Sequence, residues 1–292
     1  MPRVSVIIPT YFSQGTLAEC LTGLRGQSFA DFEIVIVNSS PEMETRDLVR
    51  GQFPEVRFDQ SPVRLLPHEA RNRAAGLAGG DILVFTDPDC RMHRDALERL
   101  VGAHDDGHPL VGGAIENADG GSWELGVHMA KFAWWLPGGN ARRRADLPTA
   151  IVSYSRVLWQ KVGPFDEGCW CADSMCVERF LRTQGVPWFE PGAIVYHHHV
   201  ADAPGFLRER YNRGADYGAN RPLHRGWSQL RIAAQLALAA VLPGVMTARS
   251  IRYAASSGRL GDAILSLPII LAGNVAWCGG EAVSHAKLLW RH

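Results

Sequence analysis

The sequence predicts an α/β protein: a doubly wound, mostly parallel sheet with a helical appendage at its C-terminal end. Three observations predict this. Short apolar runs rich in β-branched residues, at 4–8, 32–37 and 81–85, have the length and continuity of strands buried on both faces. Segments with helical periodicity separate them, and strands alternating with helices pack as parallel sheets covered on both sides. From Arg231 onward charged residues thin out, and uncharged stretches at 232–248 and 263–280 take over. The expected division is therefore 1–225 for the α/β domain and 226–292 for the appendage.

Each element follows from its residues. Residues 4–8 form an interior strand that Pro9-Thr10-Tyr11 ends. Leu17, Leu21 and Leu24 then share one face of a helix over 14–26. A second strand at 32–37 stops at Asn38-Ser39-Ser40, followed by a polar helix over 42–51 and a weaker strand at 56–58. Pro67 opens an Ala-rich helix over 68–78. The strand at 81–85 then runs into Asp87-Pro-Asp89. Beyond it lie a helix over 94–101 and a strand over 109–115. From Glu116 to Pro148 the pattern loosens, with Trp123, Phe132, Trp134 and Trp135 among glycines and an arginine triplet at 142–144. A helix over 171–182, a strand near 193–196 and a basic helix over 206–218 complete the α/β part.

Open sheets of this kind bind ligands at the carboxyl ends of their strands, where the loops at Thr10-Tyr11, Asn38-Ser39 and Asp87-Pro-Asp89 meet. Asp87 and Asp89, separated by one stiff proline, can turn toward one hard cation, the usual way of holding a nucleotide diphosphate. A solvated turn capping the next helix is the structural alternative. Lys plus Arg equals Asp plus Glu at 30 each, so no global charge points to nucleic acid. The six cysteines include no Cys-x-x-Cys pair and read as reduced thiols. The N-terminus enters a strand almost at once, without the pattern of a secretory signal, which places the expected chemistry inside the cell.

The motifs Val-Ser-Val-Ile-Ile-Pro-Thr-Tyr (4–11), Leu-x-x-Cys-Leu-x-x-Leu (17–24), Gln27-Ser28-Phe29, Phe32-Glu-Ile-Val-Ile-Val37, Ala70-Arg-Asn-Arg-Ala74 and Gly80-Asp-Ile-Leu-Val-Phe-Thr-Asp-Pro-Asp89 occur in the order and spacing of the family 2 glycosyltransferases. The chain resembles that family from the first strand to about residue 218. The resemblance implies a GT-A fold, a nucleotide-diphospho-sugar donor, a divalent cation (Mg²⁺ or Mn²⁺) and transfer with inversion. It makes Pro9, Thr10 and Tyr11 the loop against the donor base, with Arg71 reaching the nucleotide. Asp87 and Asp89 match the metal and diphosphate motif. The family's second strand usually ends in an acid where this chain has Asn38, an amide that both donates and accepts. Asn38 fits either the base pocket or a simple loop start.

Further along, Thr149-Ala-Ile-Val-Ser-Tyr-Ser-Arg156 and Val162-Gly-Pro-Phe-Asp-Glu167 again resemble the family and precede Asp173, where the family commonly has a pair of acids and this chain has Ala172-Asp173. Direct displacement needs one base for the acceptor hydroxyl, and Asp173 is the candidate; capping its helix is the alternative, and one carboxylate can do both. In His197-His-His199 the first and third share a side, so His197 or His199 is a candidate metal ligand. Arg210 and Arg213 are candidates to clamp the diphosphate.

The apolar stretches of the appendage, about 17 and 18 residues, are at the lower limit for crossing a bilayer. Arg249, Arg252 and Arg259 between them favour helices lying at the cytoplasmic face of the inner membrane, and a soluble helical hairpin is the competing reading. The functional expectation is a hexosyltransferase acting on a glycan or lipid-linked acceptor. The alternatives are a noncatalytic nucleotide-sugar or glycan-binding protein and a nucleotidylyltransferase; the latter lacks support because Pro-Thr-Tyr-Phe, not a glycine-rich loop, follows the first strand.

Overall fold

The computed structural model describes residues 1–199 and 202–290. The chain forms two compact units: Met1–Ala118 with Pro137–Gly168 and Ala172–His198, and Asp119–Leu136 with Cys169–Cys171 and His199–His292.

The first unit opens with β1 (Val4–Thr10), α1 (Gln14–Arg25), β2 (Phe32–Asn38), α2 (Glu44–Gln52), β3 (Arg57–Gln60), α3 (Pro67–Leu77) and β4 (Ile82–Thr86). These are the predicted elements, with ends shifted by a few residues. Then come β5 (Cys90–Met92), α4 (Ala96–Asp105) and β6 (Leu110–Asn117), before the chain leaves for α5 (Ser122–Phe132) of the second unit. It returns with β7 (Arg142–Arg143), β8 (Ile151–Ser155), α6 (Arg156–Val162), α7 (Ala172–Thr183) and β9 (Trp188–His197).

The sheet order is β3-β2-β1-β4-β8-β6-β9-β5, with β7 on β9. The β1, β2, β3 and β4 pairings are parallel, as is β6 with β9, whereas β8 runs antiparallel to both its neighbours and β5 antiparallel to β9. Every residue of β1 and β4 is buried, which is why their sequences read as unbroken apolar runs. β9 instead alternates buried and half-buried residues along its length, the pattern of a strand covered more fully on one face. At Gly80 the turn into β4 presses on β1: a Cβ there would lie 2.7 Å from the Ser5 backbone nitrogen.

The second unit contains α5, α8 (Ala203–Arg225), α9 (Gln229–Ala237), α10 (Leu242–Ser256), α11 (Leu260–Leu265) and α12 (Leu267–Trp290). The loosened pattern after Glu116 is therefore partly helical. Val127, Met129, Ala130 and Phe206 form an apolar cluster with Ile270, and Trp123 and Trp134 pack against it. Those tryptophans serve as packing residues here. α8 and α12 approach through glycines: a Cβ at Gly280 would stand 2.0 Å from the Tyr211 carbonyl oxygen, and one at Gly214 2.0 Å from that of Trp277. Because the obstructing atoms are backbone, Gly280→Val is expected to destabilise this helix pair by about 1–3 kcal/mol or more, read as a lower denaturant midpoint at unchanged slope.

Candidate active site

β1 and β2 end in register, Thr10 opposite Asn38. Both are buried, and the Thr10 hydroxyl donates to Asn38 Oδ1 (3.0 Å). The Asn38 amide nitrogen donates to Gln60 Oε1 on β3 (3.0 Å), and Ser40 Oγ donates to Asn38 Oδ1 (2.8 Å). Asn38 thus ties three strand ends together. An acid in its place would lose the donor to Gln60, which accounts physically for the departure from the family's pattern. Beyond Thr10 the chain turns through Phe12, a non-glycine residue at φ 51°, and leaves Tyr11 half-exposed under the Arg64 guanidinium at 4.7 Å. Backbone held in this sparsely populated region tends to cluster where ligands bind.

The organiser of the site is the N-terminal half of α3. His68, Arg71 and Asn72 share one face at helical spacing. Asn72 exchanges two hydrogen bonds with the Phe165 backbone, both 2.9 Å, and Glu69 accepts from Gly168 N (3.1 Å). α3 thereby fixes the segment leading into α7. Arg71, 3% exposed, donates to Asp87 Oδ1 and to His68 Nδ1 (3.1 Å). A guanidinium only donates, so in this pair His68 Nδ1 accepts and Nε2 is the ring nitrogen that faces Asp173. That nitrogen lies 3.9 Å from Asp173 Oδ1. Asp173 also accepts from the Thr149 hydroxyl and from Ser174 N (2.7 Å).

Asp87 and Asp173, 86 positions apart in the numbering, are thus joined by two buried side chains, Arg71 and His68. Burial alone would raise the Asp173 pKa. Electrostatic attraction to His68, the hydrogen bonds from Thr149 and Ser174, and the Arg71 charge outweigh it and hold the carboxyl below its ordinary value. Asp173 keeps 27% of its side chain exposed, so an ionised oxygen remains accessible. Ala172 beside it is fully buried, a place where a second acid would be costly. His68 and Thr149 escaped the sequence reading; a histidine after Pro67 looks like an ordinary helix-opening residue.

On the other side of Asp87-Pro88-Asp89, the antiparallel β5–β9 ladder sets Cys90 directly opposite His197. Among the described residues, Asp89, Cys90 and His197 are the one group whose ligand atoms all lie within 4.8 Å of one another. His197 Nε2 is 3.7 Å from Asp89 Oδ2, and its Nδ1 donates to the His198 carbonyl at 2.7 Å. That bond puts a proton on Nδ1 and turns Nε2 toward Asp89, the second-sphere arrangement that metal-binding histidines use. A divalent cation fits these donors. His198 turns the other way, to Glu19 (3.0 Å).

His199 lies in the second unit, buried with Nε2 3.1 Å from His128 Nδ1. Arg210 is buried there too, against the Gly273 carbonyl and Asn274 Oδ1 (both 3.4 Å) and over the Trp277 ring, while Arg213 stacks on Trp170 at 4.4 Å. Their local partners are therefore helical-unit residues. Of the arginine triplet, Arg144 pairs with Asp146 and, like Arg142, lies over the Phe189 ring.

His68→Ala is expected to move the acid limb of any Asp173-dependent activity to higher pH, because removing an attractive neighbour lets burial raise that carboxyl. A pH–rate profile against wild type checks it.

Comparisons with known proteins bear on the family and the fold. Glycosyltransferase AglE of Haloferax volcanii is 32% identical over 124 residues, 40% of each chain. A GalNAc(5)-diNAcBac-PP-undecaprenol beta-1,3-glucosyltransferase of Campylobacter jejuni is 27% identical over 117 residues, 39% of this chain and 38% of that one. The chain thus spans about two-fifths of the length of these curated relatives. Mannosyltransferase PcManGT from Pyrobaculum calidifontis, solved with GDP-Man and Mn²⁺, shares the fold over 98% of this chain and 87% of its own, at TM-score 0.63 and 21% identity. The model for Glycosyl transferase family 2 matches residues 5–160, more than half the sequence, and reaches from the first strand through β8; the chain belongs to glycosyltransferase family 2.

Proposed function

We propose that the protein transfers a sugar from a nucleotide-diphospho-sugar to a hydroxyl of a glycan or lipid-linked acceptor, with inversion at the anomeric carbon. The observation that carries this reading is the linkage of Asp87 through Arg71 and His68 to Asp173, which supports a donor-binding role for the first carboxylate and a base role for the second. Asp173 takes the acceptor proton as the hydroxyl attacks. His68 and Thr149 hold the receiving carboxylate in one orientation and in its charged form. Arg71, fixed by Asp87, would offer its charge to the departing diphosphate. Asp89 and His197 would hold a divalent cation, which when bound supplies neutralisation of the charge developing on that diphosphate. Asp173 is the one carboxylate assigned as base, and direct displacement needs no more than one. Support for the acceptor class comes from the relatives, one of them named for an undecaprenol-linked substrate.

A screen of common donors with Mn²⁺ or Mg²⁺, read as release of nucleoside diphosphate and as the anomeric configuration of the product, tests the reading. Inverted product is expected; a retained configuration, or no release with any donor, would overturn it.

The second unit is proposed to lie at the cytoplasmic membrane face. No single helix among the described residues is long and apolar enough to cross a bilayer, and α9 with α10 passes that test jointly only across a 77° bend. A helix pair lying along the interface suits that bend. Leu238, Val241 and Val245 are exposed by 49%, 60% and 48%, and Arg231, Arg249 and Arg252 are exposed nearby, which suits an anionic lipid surface. The full chain should co-float with anionic vesicles, and replacing those three apolar residues by glutamate should lower the bound fraction severalfold. Unchanged flotation would contradict membrane docking through this face.

A further inference from the structure

The thiol beside the paired acids carries a consequence of its own. β5 and β9 place Cys90 and His197 as a directly opposed antiparallel pair, whose side chains share a face. Asp89 immediately precedes Cys90, so its carboxylate reaches both: Oδ2 is 3.7 Å from His197 Nε2, and Oδ1 is 3.8 Å from Cys90 Sγ. Tetrahedral zinc, with bonds of about 2.0–2.3 Å, sets its ligand atoms roughly 3.3–3.7 Å apart. The two separations from the carboxylate are close to that spacing, and the ligand atoms of all three side chains lie within 4.8 Å of one another. Cys90 is 1% exposed and His197 6%, so these two donors are held by packing.

We propose that Asp89, Cys90 and His197 form a site for a zinc-class ion, with the Cys90 sulfur as a ligand, and that this site prefers such an ion to magnesium or manganese. A site built for magnesium uses oxygen donors and retained waters, whereas one thiolate, one imidazole and one carboxylate are donors zinc accepts together. Binding replaces the Cys90 S–H bond by a sulfur–metal bond and releases the proton to solvent. Three protein ligands leave a fourth position open, as in zinc sites that take a substrate oxygen. Asp87 stays outside the set, on Arg71. The inference rests on the cation site proposed above but not on sugar transfer.

The test is X-ray absorption at the zinc edge on the full chain loaded with one equivalent of Zn²⁺. One sulfur at about 2.3 Å beside nitrogen and oxygen neighbours at about 2.0–2.2 Å is expected. In Cys90→Ser the sulfur shell should vanish. Zinc affinity should fall by more than about tenfold, since loss of even an outer partner of a ligand costs that much. Mn²⁺ binding, followed by loss of the free-ion paramagnetic resonance signal, should persist through Asp89 and His197. A wild-type shell of nitrogen and oxygen alone would overturn the inference and needs no variant to read. So would a sulfur shell that survives in Cys90→Ser, because the ion would then sit at other thiols. Zinc–sulfur bonding in a chain that releases nucleoside diphosphate from no donor would leave this inference standing and remove only the transfer reading. Sulfur-free zinc in a chain that turns over donor would do the reverse.

Discussion

Asp89→Asn is expected to lower turnover by about a thousandfold or more and to abolish its response to divalent cations. The change removes the charge of the one hard oxygen donor in the group, leaving His197 and a thiol. Neutralising charge on a departing diphosphate contributes several kcal/mol of transition-state stabilisation, and each 1.36 kcal/mol is about tenfold in rate. The fold should survive. What holds the Asp87–Asp89 turn is backbone: Cys90 N donates to the Asp87 carbonyl (3.1 Å) and His198 N to the Asp89 carbonyl (3.0 Å). Chelation should mimic the substitution in wild type and be reversed by added metal, and the variant should not be rescued. Full activity of Asp89→Asn at saturating metal would show that the cation, if any, sits elsewhere.

Asp173→Asn is expected to lower kcat by about a hundredfold to ten-thousandfold, the range that general base catalysis contributes, with donor affinity nearly unchanged. An asparagine can still accept from Ser174 N through its oxygen and donate to the Thr149 hydroxyl through its amide nitrogen, so α7 keeps its start, and what is lost is the capacity to take a proton. The pH dependence follows from the same environment. The folded protein holds Asp173 below the ordinary carboxylate value. The base is therefore ionised through neutral and weakly acid pH, and its limb of the rate profile falls only as pH drops through the depressed folded value. Its contribution to stability has the same sign: present above the unfolded carboxylate pKa and lost as pH falls through the folded one.

Much of this was legible in the sequence wherever burial alone dictated structure. β1, β2 and β4 announce themselves because strands covered on both faces need unbroken apolar residues, and the acids follow because they sit one step beyond such a strand. Asp173 was legible through the family's motifs. The remainder depended on register, which local pattern does not carry. The alternation of strands and helices implied a mostly parallel sheet but did not show where antiparallel pairings would fall, and β8 inserts antiparallel between β4 and β6. α5 was hidden because Gly120-Gly121 and a mixture of aromatic and polar residues blur its period. Cys90 read only as one of six reduced thiols, since its partner His197 is 107 positions away in the numbering and meets it only through the β5–β9 pairing. His68 gained its role from Arg71 and Asp173, a relation set by how α3 and α7 pack.

The most direct test of the account is to measure donor binding and nucleoside diphosphate release in the same samples of wild type and Asp173→Asn. The wild type should bind the donor and release the diphosphate in the presence of metal and acceptor, and the variant should bind equally well and release almost none. Release by the variant at the wild-type rate would contradict the assignment of Asp173 as the base and, with it, the single site drawn from Asp87 through Arg71 and His68.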